Sequence, residues 1–275
     1  MSGNTLPRVE TETDRPVIRN GEAPVGEGAL LRRAVLAQTR AELLLTMRRG
    51  ENVLITMVVP VLLLIFFASL GIVRAGTARP VDFLLPGMLS LAVIATGMVS
   101  LGIATAYERY YGVLKRLGAS PLPRAGLIAA KALSVLVLEV LQVALLVVIA
   151  AAVYGWRPPH SGAGLATAAL ALLLGTAAFA GLGLAMAGAL RAEATLAGAN
   201  GLYLVFLLLS GAVLPLDHLP SLLQDLARVL PAAALTGALR TALTPGAAFP
   251  GGDMVVLAAW AIIVLAVAAR TFRWE

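Results

Sequence analysis

Six long apolar runs, 52–73, 83–106, 125–154, 164–190, 195–215 and 253–270, are separated by short stretches in which the charges gather. Each approaches or exceeds the roughly 20 residues of helix that cross about 30 Å of hydrocarbon. Backbone groups in lipid must pair within their own segment, so each run predicts a helix. The third and fourth runs are longer than a bilayer needs and are expected to tilt or project beyond it. The stretch 216–252 is half apolar and interrupted by Pro220, Pro231, Pro245 and Pro250, which argues against a clean span there.

Ahead of the first run, Leu31, Val35, Leu36, Leu43 and Met47 recur at spacings of four and seven, flanked by Arg32, Arg33, Arg40, Arg48 and Arg49. The pattern predicts an amphipathic helix over 30–50, lying in the membrane interface with its arginines in water. A cytosolic helix packed on a partner satisfies the same pattern. Residues 1–29 are polar and rich in Pro, Gly, Glu and Thr, without an apolar core segment. They read as a disordered cytoplasmic tail rather than a cleaved signal peptide.

Composition agrees with the pattern. Apolar residues are 59% of the 275 and charged ones 13%, and mean hydropathy is +0.89. A soluble domain could not cover that much apolar surface with so few charges, so the fold class is an all-α polytopic membrane protein with six transmembrane helices. The net charge of +6 comes from arginines flanking apolar runs, the placement expected for lipid headgroups and not for nucleic acid. Cysteine is absent, which excludes disulfides, thiolate metal sites and cysteine nucleophiles.

Lysine and arginine set the orientation. Fifteen lie in the first 50 residues, 107–124, 191–194 and the C-terminal end, against five in 74–82, 155–163 and 216–252. Both termini are therefore expected in the cytoplasm, with 216–252 outside. The cytoplasmic charges include an island from Glu108 to Ala119, continued by Ser120 and Pro121, between the second and third runs. Gly112 and Gly118 allow a turn or tight packing, and Pro121 and Pro123 stop a helix. A short helix held between two spans can transmit force to both. An ordinary positive-inside loop would account for Lys115 and Arg116 but not for Glu108.

The run from Glu108 to Pro121 resembles the Glu-Arg-x-x-Gly-x-Leu-x-Arg-Leu-x-x-Ser-Pro pattern of type 2 ABC exporter permeases, and most resembles the daunorubicin-resistance branch of antibiotic-efflux permeases. Pro86-Gly87 is similar to the Pro-Gly that opens the second span in that family, and Lys131 falls where these permeases often carry a lysine. Ser210 to Pro215, Leu219-Pro220, Leu230-Pro231 and Leu239-Arg240 look like the family's fifth-span exit and external re-entrant segment. Tyr110-Tyr111 departs from the pattern, which commonly has acidic or small polar residues there.

The resemblance implies six helices per subunit, a second permease subunit, identical or related, and separate ATP-binding subunits that carry ATP and Mg. It also implies a coupling helix over 107–121, with Glu108, Arg109, Gly112, Lys115, Arg116, Ser120 and Pro121 as the contact. An external re-entrant segment over 216–252 would be marked by Pro215, Pro220 and Pro231. The function implied is export of an amphipathic, lipid-like or antibiotic substrate across a bacterial cytoplasmic membrane, with polysaccharide or glycolipid export as the alternative. The GC-rich flavour of the chain, abundant in Ala and Arg, leans the same way.

The residues independently support the division of labour. A phosphate-binding loop needs Gly-Lys-Ser/Thr, and the two lysines, Lys115 and Lys131, follow Leu114 and Ala130. By that route the chain holds no cofactor and is not itself an enzyme. Nothing in it presents a HExxH or a Ser/His/Asp set, and His160 and His218 fall in separate loops without metal-ligand spacing.

Within the spans, Glu139 and Gln142 are candidates for the translocation path or gate, together with Pro86 and Gly87. A carboxylate at bilayer depth costs on the order of 3 kcal/mol and tends to face a cavity, a partner helix or a substrate. The alternative is a structural, hydrogen-bonded Glu139 packed against a neighbouring helix. Lys131 is eight residues away, about 12 Å along a helix, too far to pair with it. It lies nearer the interface, where it is expected to snorkel. A proton-coupled carrier would need more ionisable groups at that depth than Glu139 supplies.

Overall fold

The computed structural model describes residues 27–48, 50–70, 79–118, 123–158 and 161–271, and every regular element among them is a helix. The tail expected over 1–29 lies almost wholly outside the described residues, as do Ser120, Pro121 and His160, and so does the side chain of Arg116.

The helices follow the apolar runs closely. In chain order they are α1 (Glu27–Arg48), α2 (Gly50–Leu70), α3 (Pro80–Val93), α4 (Leu101–Tyr110), α5 (Val113–Gly118), α6 (Arg124–Tyr154), α7 (Gly162–Ala189), α8 (Ala192–Leu209), α9 (Ser221–Val229), α10 (Pro231–Leu243) and α11 (Gly251–Thr271). A π-helical segment, Ile94–Ser100, joins α3 to α4 without a break, so the second span is one 31-residue helix, Pro80–Tyr110.

Among the described residues, five helices are long and apolar enough to cross a membrane: Pro80–Tyr110, α6, α7, α8 and α11. The expected first span is α2, with an apolar part, Thr56–Leu70, that is shorter. The stretch expected to be too broken for a span is a helix pair, α9 and α10, bent by 81° at Leu230, where Pro231 begins the second helix. The protein is thus an all-α polytopic membrane protein.

The termini of the elements have local causes. At the end of α6, Gly155 takes φ +63, so its N–H reaches Ala151 O and that of Trp156 reaches Ala150 O. This left-handed stop is one a glycine adopts without strain. Ser161 caps α7 by accepting from the Gly164 N–H at 3.2 Å.

α7 forms the centre of the bundle, with α11, α10, the π-helical segment and α4 packed around it. In lipid there is little hydrophobic drive between helices, so close backbone approach supplies the attraction. A Cβ on Gly183 would stand 2.7 Å from Met98 O and 2.9 Å from Gly97 O. Only glycine fits where α7 crosses the π-helical segment. α10 is buried over most of its length, with Leu235 fully covered and set against Gly175 of α7.

α1 has two different faces. Leu31, Leu36 and Met47 are exposed, whereas Ala34 and Val35 pack toward the bundle and Thr39 and Glu42 are buried. The helix docks on α6 through a mixed, partly polar stripe, because the bundle offers it a charge to meet.

Candidate functional site

Three elements converge where the second span ends. α4 runs to Tyr110, and the chain turns at Tyr111-Gly112, with the Gly112 N–H on Arg109 O at 3.0 Å and φ +70 at the glycine. α5 then begins, anchored by Leu114, which is buried in a cluster with Leu101, Leu127 and Leu184. The island is therefore a bent continuation of the second span folded back onto the bundle.

Its first two charges point inward. Glu108 accepts from Lys131 Nζ of α6 at 2.6 Å, and the same ammonium lies 2.9 Å from Glu42 of α1. The Lys131 side chain is 1% exposed, with Glu42 at 9% and Glu108 at 12%. Gln38 donates to Glu42 at 3.0 Å, and a polar recess of about 40 Å³ adjoins the cluster. The expected snorkelling of Lys131 does not occur. The side chain is enclosed because two carboxylates from other helices neutralise it where it stands, and a buried charge so paired has no reason to reach water.

Arg109, one residue on, points about a quarter turn away. Its guanidinium donates to Gly188 O at 2.6 Å and to Leu190 O, the carbonyls that close α7. A cation at a helix C-terminus meets both free acceptors and the negative end of the dipole. Glu108 and Arg109 together fasten the end of the second span to α6, α1 and α7.

The outward face of this corner is different in kind. Tyr110 and Tyr111 are 66% and 69% exposed, their rings 5.1 Å apart, with Tyr107 stacked on Tyr111 at 6.1 Å. Lys115 is exposed beside them. Arg109, Arg191 and Arg270 line an adjoining recess of about 670 Å³.

A second polar link lies deeper. Gln142 of α6 accepts from Thr96 of the π-helical segment at 3.0 Å and donates to Thr56 O of α2 at 2.7 Å. Glu139 does not join it. It turns to α7, where Thr176 Oγ1 contacts its Oε2.

At the opposite end of the second span, a Cβ on Gly87 would sit 2.3 Å from Ala212 O, so the chain after α8 presses on the helix at Pro86-Gly87. Gly211 turns there with φ +69, its carbonyl held by Arg240 of α10 at 2.8 Å, and that guanidinium lies 3.8 Å above the Phe83 ring. Pro215 and Pro220 bracket the single turn Leu216–His218 before α9. These residues form one joint between the second span, the α8 exit and the bent pair.

The family model for the ABC-2 type transporter membrane domain matches residues 33–244, most of the chain. The chain belongs to this family. It is a multi-pass membrane component of an ABC transporter. A curated relative, ABC transporter G family member 20 of Dictyostelium discoideum, is 28% identical over 195 residues, covering 68% of this chain and 26% of that protein. The chain thus spans about a quarter of the relative's length.

Sequence reasoning picked out Glu108 and Arg109 as surface contacts, but the structure turns both into the bundle. It passed over Glu42 altogether. The available signal was the spacing Gln38, Glu42, Thr46 on α1, a polar row on a helix otherwise read by its leucines.

Proposed function

We propose that this chain is the permease half of an ATP-driven exporter in a bacterial cytoplasmic membrane, related to the antibiotic-efflux branch. It pairs with a second permease subunit and receives its drive from separate ATP-binding subunits that hold ATP and Mg. Both termini face the cytoplasm, and the bent pair α9–α10 is an external re-entrant segment. The Tyr107–Gly118 corner is the coupling element. Tyr110, Tyr111 and Lys115 meet the ATP-binding subunit, and Glu108 and Arg109 pass its movement into the bundle.

The observation that carries this reading is the fastening of the corner on two sides, Glu108 to Lys131 and Arg109 to the α7 carbonyls. An inert loop needs no such bracing. A push on Tyr110 reaches three other helices, α1, α6 and α7, through these charged contacts.

The path we assign lies along the groove of about 560 Å³ between α1, α2, the second span and α8, with Thr46, Thr56, Ser100, Tyr107 and Asn200 among apolar neighbours. Mixed hydroxyl, amide and hydrocarbon walls suit an amphipathic substrate. α8 leaves Leu204, Val205 and Leu208 exposed beside it, a face for the second permease subunit.

The test is co-purification with the ATP-binding subunit and transport in proteoliposomes. Tyr110→Asp/Tyr111→Asp is expected to lose assembly. Glu108→Gln is expected to assemble and hydrolyse ATP while transport falls tenfold or more. Wild-type assembly and transport in both variants would overturn the assignment.

A further inference from the structure

Three arginines meet at the end of the bundle where α7 stops. Arg109 stands on α4, Arg191 in the turn between α7 and α8, and Arg270 in the last turn of α11. α4 packs on α7 and α8, and α11 packs on α7, so the three residues are drawn around one recess of about 670 Å³. Single arginines at helix ends are ordinary headgroup anchors. Three around one cavity make a basic pocket.

Most of the donors in that pocket are unused. Arg191 and Arg270 are exposed, and among the described residues neither has a hydrogen bond or an ion pair. Arg109 commits two of its five N–H groups to Gly188 O and Leu190 O, and so fixes one wall. Glu193 also lines the recess, exposed and unpaired among the described residues, so it does not neutralise the guanidiniums. The carboxyl end of α7 compensates Arg109. The two other guanidiniums and the one carboxylate leave a single positive charge to be matched.

The surface that continues from the pocket is hydrocarbon. Ile263 and Ala266 lie seven and four residues before Arg270, on the same face of α11, and both are exposed. Leu190, next to Arg191, is exposed as well. A free phosphate or an acidic peptide makes no use of such a strip, whereas an acyl chain lies along it. The recess is in the range of small-molecule sites, roughly 300–1,000 Å³, which is room for a phosphate and a small alcohol.

We propose that this pocket binds an anionic glycerophospholipid with a hydroxylated headgroup. The phosphodiester lies between Arg191 and Arg270, a headgroup hydroxyl donates to Glu193, and an acyl chain follows Ala266 and Ile263. Guanidinium–phosphate bonds are charge-assisted and suit the planar fork of arginine. A monoanionic headgroup neutralises the pocket. An ethanolamine headgroup could reach Glu193 with its ammonium, but it would add a cation where two are already unmatched. The site lies beyond the coupling and transport assignments and depends on neither.

The test is native mass spectrometry of the full chain in detergent, titrated with lipids of identical palmitoyl and oleoyl chains. Phosphatidylglycerol is expected to bind about tenfold more tightly than phosphatidylcholine or phosphatidylethanolamine. It is expected to bind about threefold more tightly than phosphatidylmethanol, which has the same charge and no hydroxyl. Arg191→Gln/Arg270→Gln is expected to abolish the first preference, and Glu193→Leu the second. Neither arginine bonds to the bundle, so the double variant is expected to fold. Arg32→Gln/Arg157→Gln removes as many exposed charges elsewhere and is expected to keep both preferences. Equal binding of the anionic and zwitterionic lipids would overturn the proposal, as would a preference that survives in Arg191→Gln/Arg270→Gln. Equal binding of phosphatidylglycerol and phosphatidylmethanol would overturn the role given to Glu193. Displacement of the lipid by inorganic phosphate or by a hexaglutamate peptide at equal concentration would assign the pocket to a soluble anion or an acidic protein segment, and would also overturn it.

Discussion

Replacing Lys131 by Met removes the one ammonium between Glu42 and Glu108 while keeping the length of the side chain. In the native bundle that ammonium lies 2.6 Å and 2.9 Å from the two carboxylates. At an effective dielectric of 20, each contact is worth about 6 kcal/mol of gross attraction, most of it offset by the desolvation of all three groups. The mutation deletes the attraction and leaves the desolvation. Stranding the partner of a buried pair costs roughly 3–5 kcal/mol, so we expect a loss in that range. Neutralising the whole cluster, as Lys131→Met/Glu42→Gln/Glu108→Gln, removes the stranded charges and is expected to recover most of it. The assay is unfolding of the purified chain in mixed micelles by increasing SDS, followed by helix signal and Trp fluorescence. A single mutant costing less than about 1 kcal/mol, the scale of an exposed ion pair, would refute the reasoning. So would a triple mutant less stable than the single, because stranded carboxylates would then not be the cause.

Arg109→Ala deletes two charge-assisted bonds to the α7 carbonyls and should cost about 2–4 kcal/mol in the same titration, with Arg109→Lys restoring only part because an ammonium cannot fork to both oxygens. Gly183→Ala forces a Cβ to 2.7 Å from Met98 O and should destabilise by about 1–3 kcal/mol, whereas Gly198→Ala, with nothing within 4 Å, should be nearly silent. Gln142→Leu leaves the Thr96 hydroxyl without its inter-helix partner and should cost about 1–2 kcal/mol. Because the chain lacks cysteine, single cysteines can report orientation. Ser221→Cys should react with a membrane-impermeant maleimide added outside intact cells and Val113→Cys should not; the reverse result would invert the assigned topology.

The long helices were legible because each apolar run is its own evidence, and lipid admits almost no other structure for it. The prolines at 220, 231, 245 and 250 showed where continuity fails. They did not show that the chain would bend by 81° and bury α10 against α7, since that depends on small residues of α7 such as Gly175, far away in sequence. The Lys131 cluster was hidden for a similar reason. Its two carboxylates lie on other helices, Glu108 being 23 residues away, and a single sequence does not say which helices are neighbours. The π-helical segment was missed although Ile94–Ser100 holds Gly97 and three β-branched residues, Ile94, Thr96 and Val99, all weak helix formers. Such residues are ordinary within a membrane span and do not mark a π turn.

That segment has a use which the two polar links make visible. The second span and α6 run antiparallel and are tied at two levels, Glu108 to Lys131 near one end and Thr96 to Gln142 deeper in the bundle. Between the ties the second span spends twelve residues, 96 to 108, and α6 spends eleven, 131 to 142. Two regular helices at about 1.5 Å per residue would fall out of step by one residue and roughly 100° of rotation, enough to turn one partner away. A π turn closes hydrogen bonds to i+5 and so takes up the extra residue inside the helix. The segment begins just before the upper tie, at Ile94, and ends at Ser100, between the two. It brings both side chains onto the face that α6 presents. A displacement entering at Glu108 then reaches Thr96 and Gln142 along a doubly latched pair of helices, which move together or must break a latch.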